Sequence, residues 1–164
     1  MRAAQMEFDR SSFDQTEWTH PAWRDQKTAH IALHVGKAIG KIIEGDWATM
    51  TDEVCPDLAI YRTQLINLHG IPRGTVGPMT DPAQKHQWLR LTAHAQSLLC
   101  EYLEPLQHGQ RPKLDRQRTI AKAATGLWRV HEGVADYFGL DPEQAHKNRL
   151  TQLSTPRSEE KAKK

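Results

Sequence analysis

The chain has 164 residues, 38% hydrophobic and 26% charged, with a formal net charge of +2. That length carries one domain with a sizeable core, and no apolar run approaches the roughly 18–20 residues of a membrane helix. The opening MRAAQMEFDR lacks the apolar region of a secretory signal. Cys55 and Cys100 are isolated, a usage that fits reduced thiols in a cytoplasmic protein better than a disulfide framework.

Charge is uneven along the chain. Residues 1–110 hold ten Lys/Arg against thirteen Asp/Glu, and residues 111–164 hold twelve against seven. A basic C-terminal third attracts phosphates, although much of it is the tail STPRSEEKAKK, whose composition predicts a disordered basic segment over 154–164.

Residues 1–18 lack a clean period, yet Phe8, Phe13 and Trp18 predict a partly docked arm. Thr19 or His20 before Pro21 resembles an N-cap and first-turn proline, so the first helix is expected over 21–45, including Trp23 and stopping at Gly45. Ile31, Val35, Ala38, Ile39, Ile42 and Ile43 recur at helical spacing as one apolar stripe. His30, His34, Lys37 and Lys41 run beside it at i, i+4, i+7 and i+11. After a short polar turn containing Trp47, Cys55-Pro56 suits a second helix start, over 56–69, with Gly70 as its stop. Leu58, Tyr61, Leu65 and Leu68 answer the first stripe, and Asp57 borders that face. The two helices therefore read as a packed hairpin.

GIPRGTVGPMTDP, rich in Gly and Pro, is a connector. The third helix, 83–107, places Trp88, Leu91, Ala95, Leu98, Leu99, Tyr102 and Leu106 on one face, and HGQRPK breaks it. The fourth, 115–138, buries Ile120, Ala124, Leu127, His131, Val134, Ala135 and Phe138. Its histidine reads as a hydrogen-bonded core residue. Asp141-Pro142-Glu143-Gln144 opens a last helix, 142–152, with Asp as N-cap and Gln at the third position. No segment alternates as a strand. The expectation is an all-α fold of antiparallel hairpins, a four- to five-helix bundle in one domain over 1–153, with hairpins at about 21–70 and 83–152. A weak repeat supports two related hairpins: Thr28-Ala29-His30 and Thr92-Ala93-His94, then Gly70-Ile71 and Gly139-Leu140.

The histidine–lysine stripe is the sharpest chemical feature. Lysines beside imidazoles can cradle phosphate as point charges without a metal. His30 and His34 also have the spacing of a two-histidine metal site that Asp57 or His69 would complete, but chance pairs are common among nine histidines, and no metal site is expected. Trp23 and Trp47, near the ends of the first helix, are candidate walls for a bound base.

The order of these pieces resembles the MazG-type all-α nucleoside triphosphate pyrophosphohydrolases. Leu33-His34-Val35-Gly36-Lys37 sits where that family carries an E-E-x-x-E-like run, and Val54-Cys55-Pro56-Asp57 where it carries E-x-x-D. DLAIYRTQLINLHG, from Asp57 to Gly70, looks like its D-x-x-x-Y helix ending in Gly, and VADYFGLDPEQAHKNRL like its exit helix. The resemblance spans most of residues 28–150 and implies a nucleoside triphosphate ligand, catalytic roles for Asp57 and His34, magnesium if the chain is active, and a homodimer. At the positions matching the family's carboxylates this chain has Leu33, His34, Lys37 and Val54, and only Asp57 is acidic. A magnesium ion needs several oxygen ligands. The expectation is (d)NTP binding at His30, His34, Lys37 and Lys41 with weak or lost hydrolysis.

Two other classes compete. Val134 to Ala145 has the rhythm of a helix-turn-helix, although Asp-Pro-Glu at the start of its second helix would face DNA phosphates badly. The third class is a non-catalytic helical protein-interaction module.

Overall fold

The computed structural model describes residues 21–72, 85–110 and 116–154. The expectations for the N-terminal arm, most of the Gly/Pro connector, the HGQRPK break after Gln110 and the basic tail lie outside the described residues. The chain is all-helical among the described residues: α1 (Pro21–Glu44), α2 (Cys55–His69), α3 (Lys85–Gln107), α4 (Arg116–Tyr137) and α5 (Pro142–Ser154). None of these helices is long and apolar enough to cross a membrane.

The helix ends follow from local chemistry. Asp141 Oδ1 accepts from the backbone N–H groups of Glu143 (2.9 Å) and Gln144 (3.0 Å), which caps α5. Gly70 and Gly139 stop α2 and α4 at φ of 62° and 65°, a left-handed conformation that a Cβ disfavours. In each case the following residue reaches back, Ile71 N–H to Ile66 O at 3.0 Å and Leu140 N–H to Ala135 O at 2.8 Å. That is the Schellman closure, which satisfies carbonyls left open at a helix end.

One expected turn is helical instead. Only Gly45 and Asp46 separate α1 from a single turn, Trp47–Thr49, which runs into a π-helical turn, Met50–Val54, and so into α2. Asp46 caps this start through Thr49 N–H at 3.2 Å. Pro56 explains the widening. In a regular helix its ring would strike the carbonyl of Asp52, and it has no N–H to donate. The π turn, with Cys55 N–H bonded to Met50 O, lets the helical path continue through the proline.

The packing also differs from the simplest hairpin order. α1 lies mainly on α3, α2 on α4, and α3 on α4, whereas the chain neighbours α1 and α2 touch much less. The repeated tripeptides behave alike within it. Thr28 and Thr92 are both fully buried, and each donates its hydroxyl one turn back, to Arg24 O (2.8 Å) and Trp88 O (2.7 Å). The two helices that carry the repeat, α1 and α3, are also a packed pair.

The core is continuous. Ile31, Val35, Ala38 and Ile42 of α1 meet Trp88, Ala95, Leu99 and Tyr102 of α3, within one cluster that includes Leu58, Leu65, Ile120, Leu127 and Val134. Ile43 belongs to none of it and is 68% exposed; it lies 100° round the helix from Ile42. α2 is buried on nearly every side, as befits a helix with neighbours all round it. At Gly126 α4 comes close to α3: a Cβ there would stand 3.3 Å from Leu91 O. The weak contact between α1 and α2 leaves space between them, and that space is the candidate site.

Candidate functional site

A cavity of about 430 Å³ opens between the basic face of α1 and the start of α2, with α5 as its third wall. From α1 it is lined by Lys27, His30, His34, Lys37 and Lys41. Thr49, Glu53 and Val54 come from the helical lead-in, and Asp57, Leu58, Ile60, Tyr61 and Gln64 from α2. Arg149 and Leu153 come from α5. The histidine–lysine stripe and Asp57 are thus brought together around one space. Trp23 and Trp47 are not among its lining residues. Trp47 instead packs on Trp88 and Phe138, each with ring centroids 6.1 Å away, and carries the Lys85 ammonium 4.3 Å above its ring. The helical lead-in turns Trp47 toward α3 and the end of α4, away from α2.

Three rings run from the rim of the cavity to its floor. His30 and His34 have centroids 4.5 Å apart, as the i, i+4 spacing dictates, and His34 stands 5.3 Å from Tyr61. His34 binds its proton less readily than a free imidazole. Partial burial is the largest cause and the Lys37 charge the next, with Asp57 pulling the other way. His30 shifts in the same direction through burial, then Lys27 and His34. Both rings therefore favour the neutral form, and an anion placed between them would draw protons onto them.

Asp57 is taken up by an arginine of α5. Its carboxylate is gripped by Arg149, with Nε donating to Oδ1 at 2.7 Å and Nη2 to Oδ2 at 3.1 Å. This fork-on-fork geometry is the strongest pairing available to a carboxylate. Lys41 is also committed, to Glu44 at 2.9 Å and Asp46 at 3.2 Å, and these two hydrogen bonds raise its proton affinity. Lys37, in contrast, is exposed and has no ion-pair partner among the described residues. Glu53 stands one turn before Asp57 and also lines the cavity.

His69 does not join the histidine pair. His69 is buried elsewhere, 2.9 Å from the Thr28 hydroxyl and accepting from Arg116 Nε at 3.4 Å. Burial, then the Arg116 charge, holds its proton affinity down to about 3. Among the described residues no three His, Cys, Asp or Glu side chains converge on a point where an ion would sit. His131 is a core histidine, with Nδ1 donating to Cys55 O at 2.8 Å.

The helix-turn-helix reading concerns the last helix. Its second helix would be α5, whose Arg149 is turned inward to Asp57 while His146 and Leu150 are buried.

The sequence stripe omitted Lys27, although 27, 30, 34, 37 and 41 continue one helical row. Arg149 carried no such signal. Its neighbour Leu150 marks a buried face, but nothing local indicates a partner 92 residues away. Comparison of the chain with protein-family models, curated proteins and solved structures finds no match.

Proposed function

We propose that this cavity binds a phosphate-bearing ligand, a nucleoside triphosphate by preference, and that metal-dependent hydrolysis of it is weak or absent. The observation that carries the reading is the composition of the facing walls. Lys27, Lys37 and two histidines stand on α1, and Arg149 stands opposite them, around an apolar floor of Val54, Leu58, Ile60 and Tyr61. Ammonium and guanidinium groups bind phosphate oxygens directly, and a floor of this kind accommodates a base or sugar. The sequence resemblance to MazG-type proteins points to the same ligand class, and a MazG-like bundle is part of the proposal.

The residues do not fit the magnesium centre that the resemblance implies. Both oxygens of Asp57 are engaged by Arg149, and Glu53 is the cavity's other carboxylate. Lys37 and Arg149 place positive charge where a divalent ion would need anionic oxygens.

The test is to incubate the protein with several dNTPs, with and without magnesium, following both binding and pyrophosphate release. The expected result is binding that does not require the metal, with release near background. Robust magnesium-dependent release that Asp57→Asn abolishes would refute the reading.

A further inference from the structure

Among the described residues, α5 packs less extensively on its neighbours than the other helices do. Its buried side chains are His146 and Leu150, and it lies mainly against α2. His146 is fully buried, yet neither ring nitrogen has a hydrogen-bond partner among the described residues. Removing an imidazole from water without pairing it is unfavourable, so docking of α5 gives back part of what burying Leu150 gains. Arg149 on Asp57 ties the helix to α2, and this contact sits at the cavity.

Arg149 also has capacity to spare. A guanidinium carries five N–H donors. Nε and Nη2 each give one to Asp57, and Nη1 gives one to Gln152 at 3.2 Å. One hydrogen on each Nη is left, on a side chain only 16% exposed. Across the cavity is the basic face of α1, and Arg149 is near enough to His34 to weaken its hold on a proton. The turn from α4 to α5 is short and passes through Gly139.

We propose that α5 is a ligand-dependent wall of the cavity, and that a bound polyphosphate locks it by taking the free donors of Arg149 while it contacts Lys37 on α1. This rests on the reading of the cavity as a phosphate site. Without ligand, α5 opens about the Gly139 turn through local fluctuations that leave α1 to α4 packed. A ligand that needs Arg149 binds only the closed form. It therefore slows opening by a factor of one plus its concentration over Kd, roughly tenfold at ten times Kd.

Hydrogen exchange of the full chain with inorganic tripolyphosphate tests this, alongside calorimetric titration of the same probe. In wild type, amides of 143–154 should slow by about tenfold at ten times the measured Kd, with those of α3 unchanged. Arg149→Gln, which keeps length without charge, should lose most of that protection, and Arg149→Lys should keep part of it. Binding by wild type without slower exchange in α5, or with equal slowing in α3, would overturn the inference and leave the phosphate site standing. Equal protection in wild type and Arg149→Gln would do the same. No binding by wild type at millimolar tripolyphosphate would remove the phosphate site and the inference together.

Discussion

Arg149 and Asp57, 92 residues apart, form a two-pronged ion pair that joins the last helix of the fold to the start of the second. Their side chains are 16% and 17% exposed, so water screens the pair only in part. The same contact holds a wall of the cavity and takes up the carboxylate that the sequence marked for chemistry. Arg149→Ala leaves Asp57 poorly compensated in a mostly dry position. It should cost about 1–3 kcal/mol of stability, against less than about 1 kcal/mol for breaking an exposed pair. Urea unfolding of Arg149→Ala, Asp57→Asn and the double variant checks this. A coupling energy near zero would mean that the two residues are neighbours without being partners.

The two thiols should differ sharply in reactivity. Cys55 is fully buried beside His131, with Sγ 3.3 Å from the ring, and burial pushes its proton affinity up to about 12. Thiolate, the reactive form, is then scarce at neutral pH, while Cys100 is exposed. A disulfide exchange reagent should label Cys100 in the native protein and reach Cys55 only on unfolding. Fast native labelling of both would contradict the packing of α2 on α4.

Acid should destabilise the fold through its buried histidines. Burial lowers the proton affinity of His146 to about 4 and of His69 to about 3, and shifts His131 in the same direction. An unfolded histidine titrates near 6.5. Below that pH the unfolded chain takes up protons that the folded chain refuses, so stability is full above about 6.5 and is lost as pH falls toward 4. His146 alone accounts for roughly 2–3 kcal/mol of that loss. Urea midpoints at pH 7, 5.5 and 4.5 measure it, and His146→Met should flatten the profile. A midpoint independent of pH over this range would refute the burial of these neutral rings.

Much of the fold was legible because its stops are chemical. Gly45, Gly70, Gly139 and Asp141-Pro142 mark helix ends for reasons confined to a few residues. What was not legible depends on partners. The apolar period of α1 shows which side is buried, but not that α3 covers it more than α2 does. Pro56 has the form of a helix start, and only the π turn before it reveals a helical path already under way. The basic row of α1 and Asp57 could be placed near each other from two adjacent helices. That Arg149 would take the carboxylate depends on how α5 returns across α2, and Trp47 was misplaced because its turn proved to be a helix aimed at Trp88.

Ligand affinity should depend on pH in a way that follows from the histidine pair. His30 and His34 are both shifted toward the neutral form, so they add little charge at pH 7.5. Binding of a triphosphate should strengthen as pH falls below about 6.5, the ordinary histidine value, and change little between pH 8 and 7. Calorimetric titrations across pH 5.5–8, with the protein confirmed folded at each point, give the profile. His30→Gln with His34→Gln should abolish its acid limb.

In the proposed site, cations of the protein itself hold the phosphate in the cavity between α1 and α5. The most direct measurement of this is calorimetric titration of a nucleoside triphosphate, without added metal, into wild type, Lys37→Ala and Lys41→Ala at two salt concentrations. Lys37→Ala should weaken binding about three- to tenfold and more salt should weaken it further, as expected for a partly screened charge contact. Lys41→Ala should have a smaller effect, because Glu44 and Asp46 already hold that ammonium. Equal affinity in all three proteins, or binding that appears only with magnesium, would contradict the account.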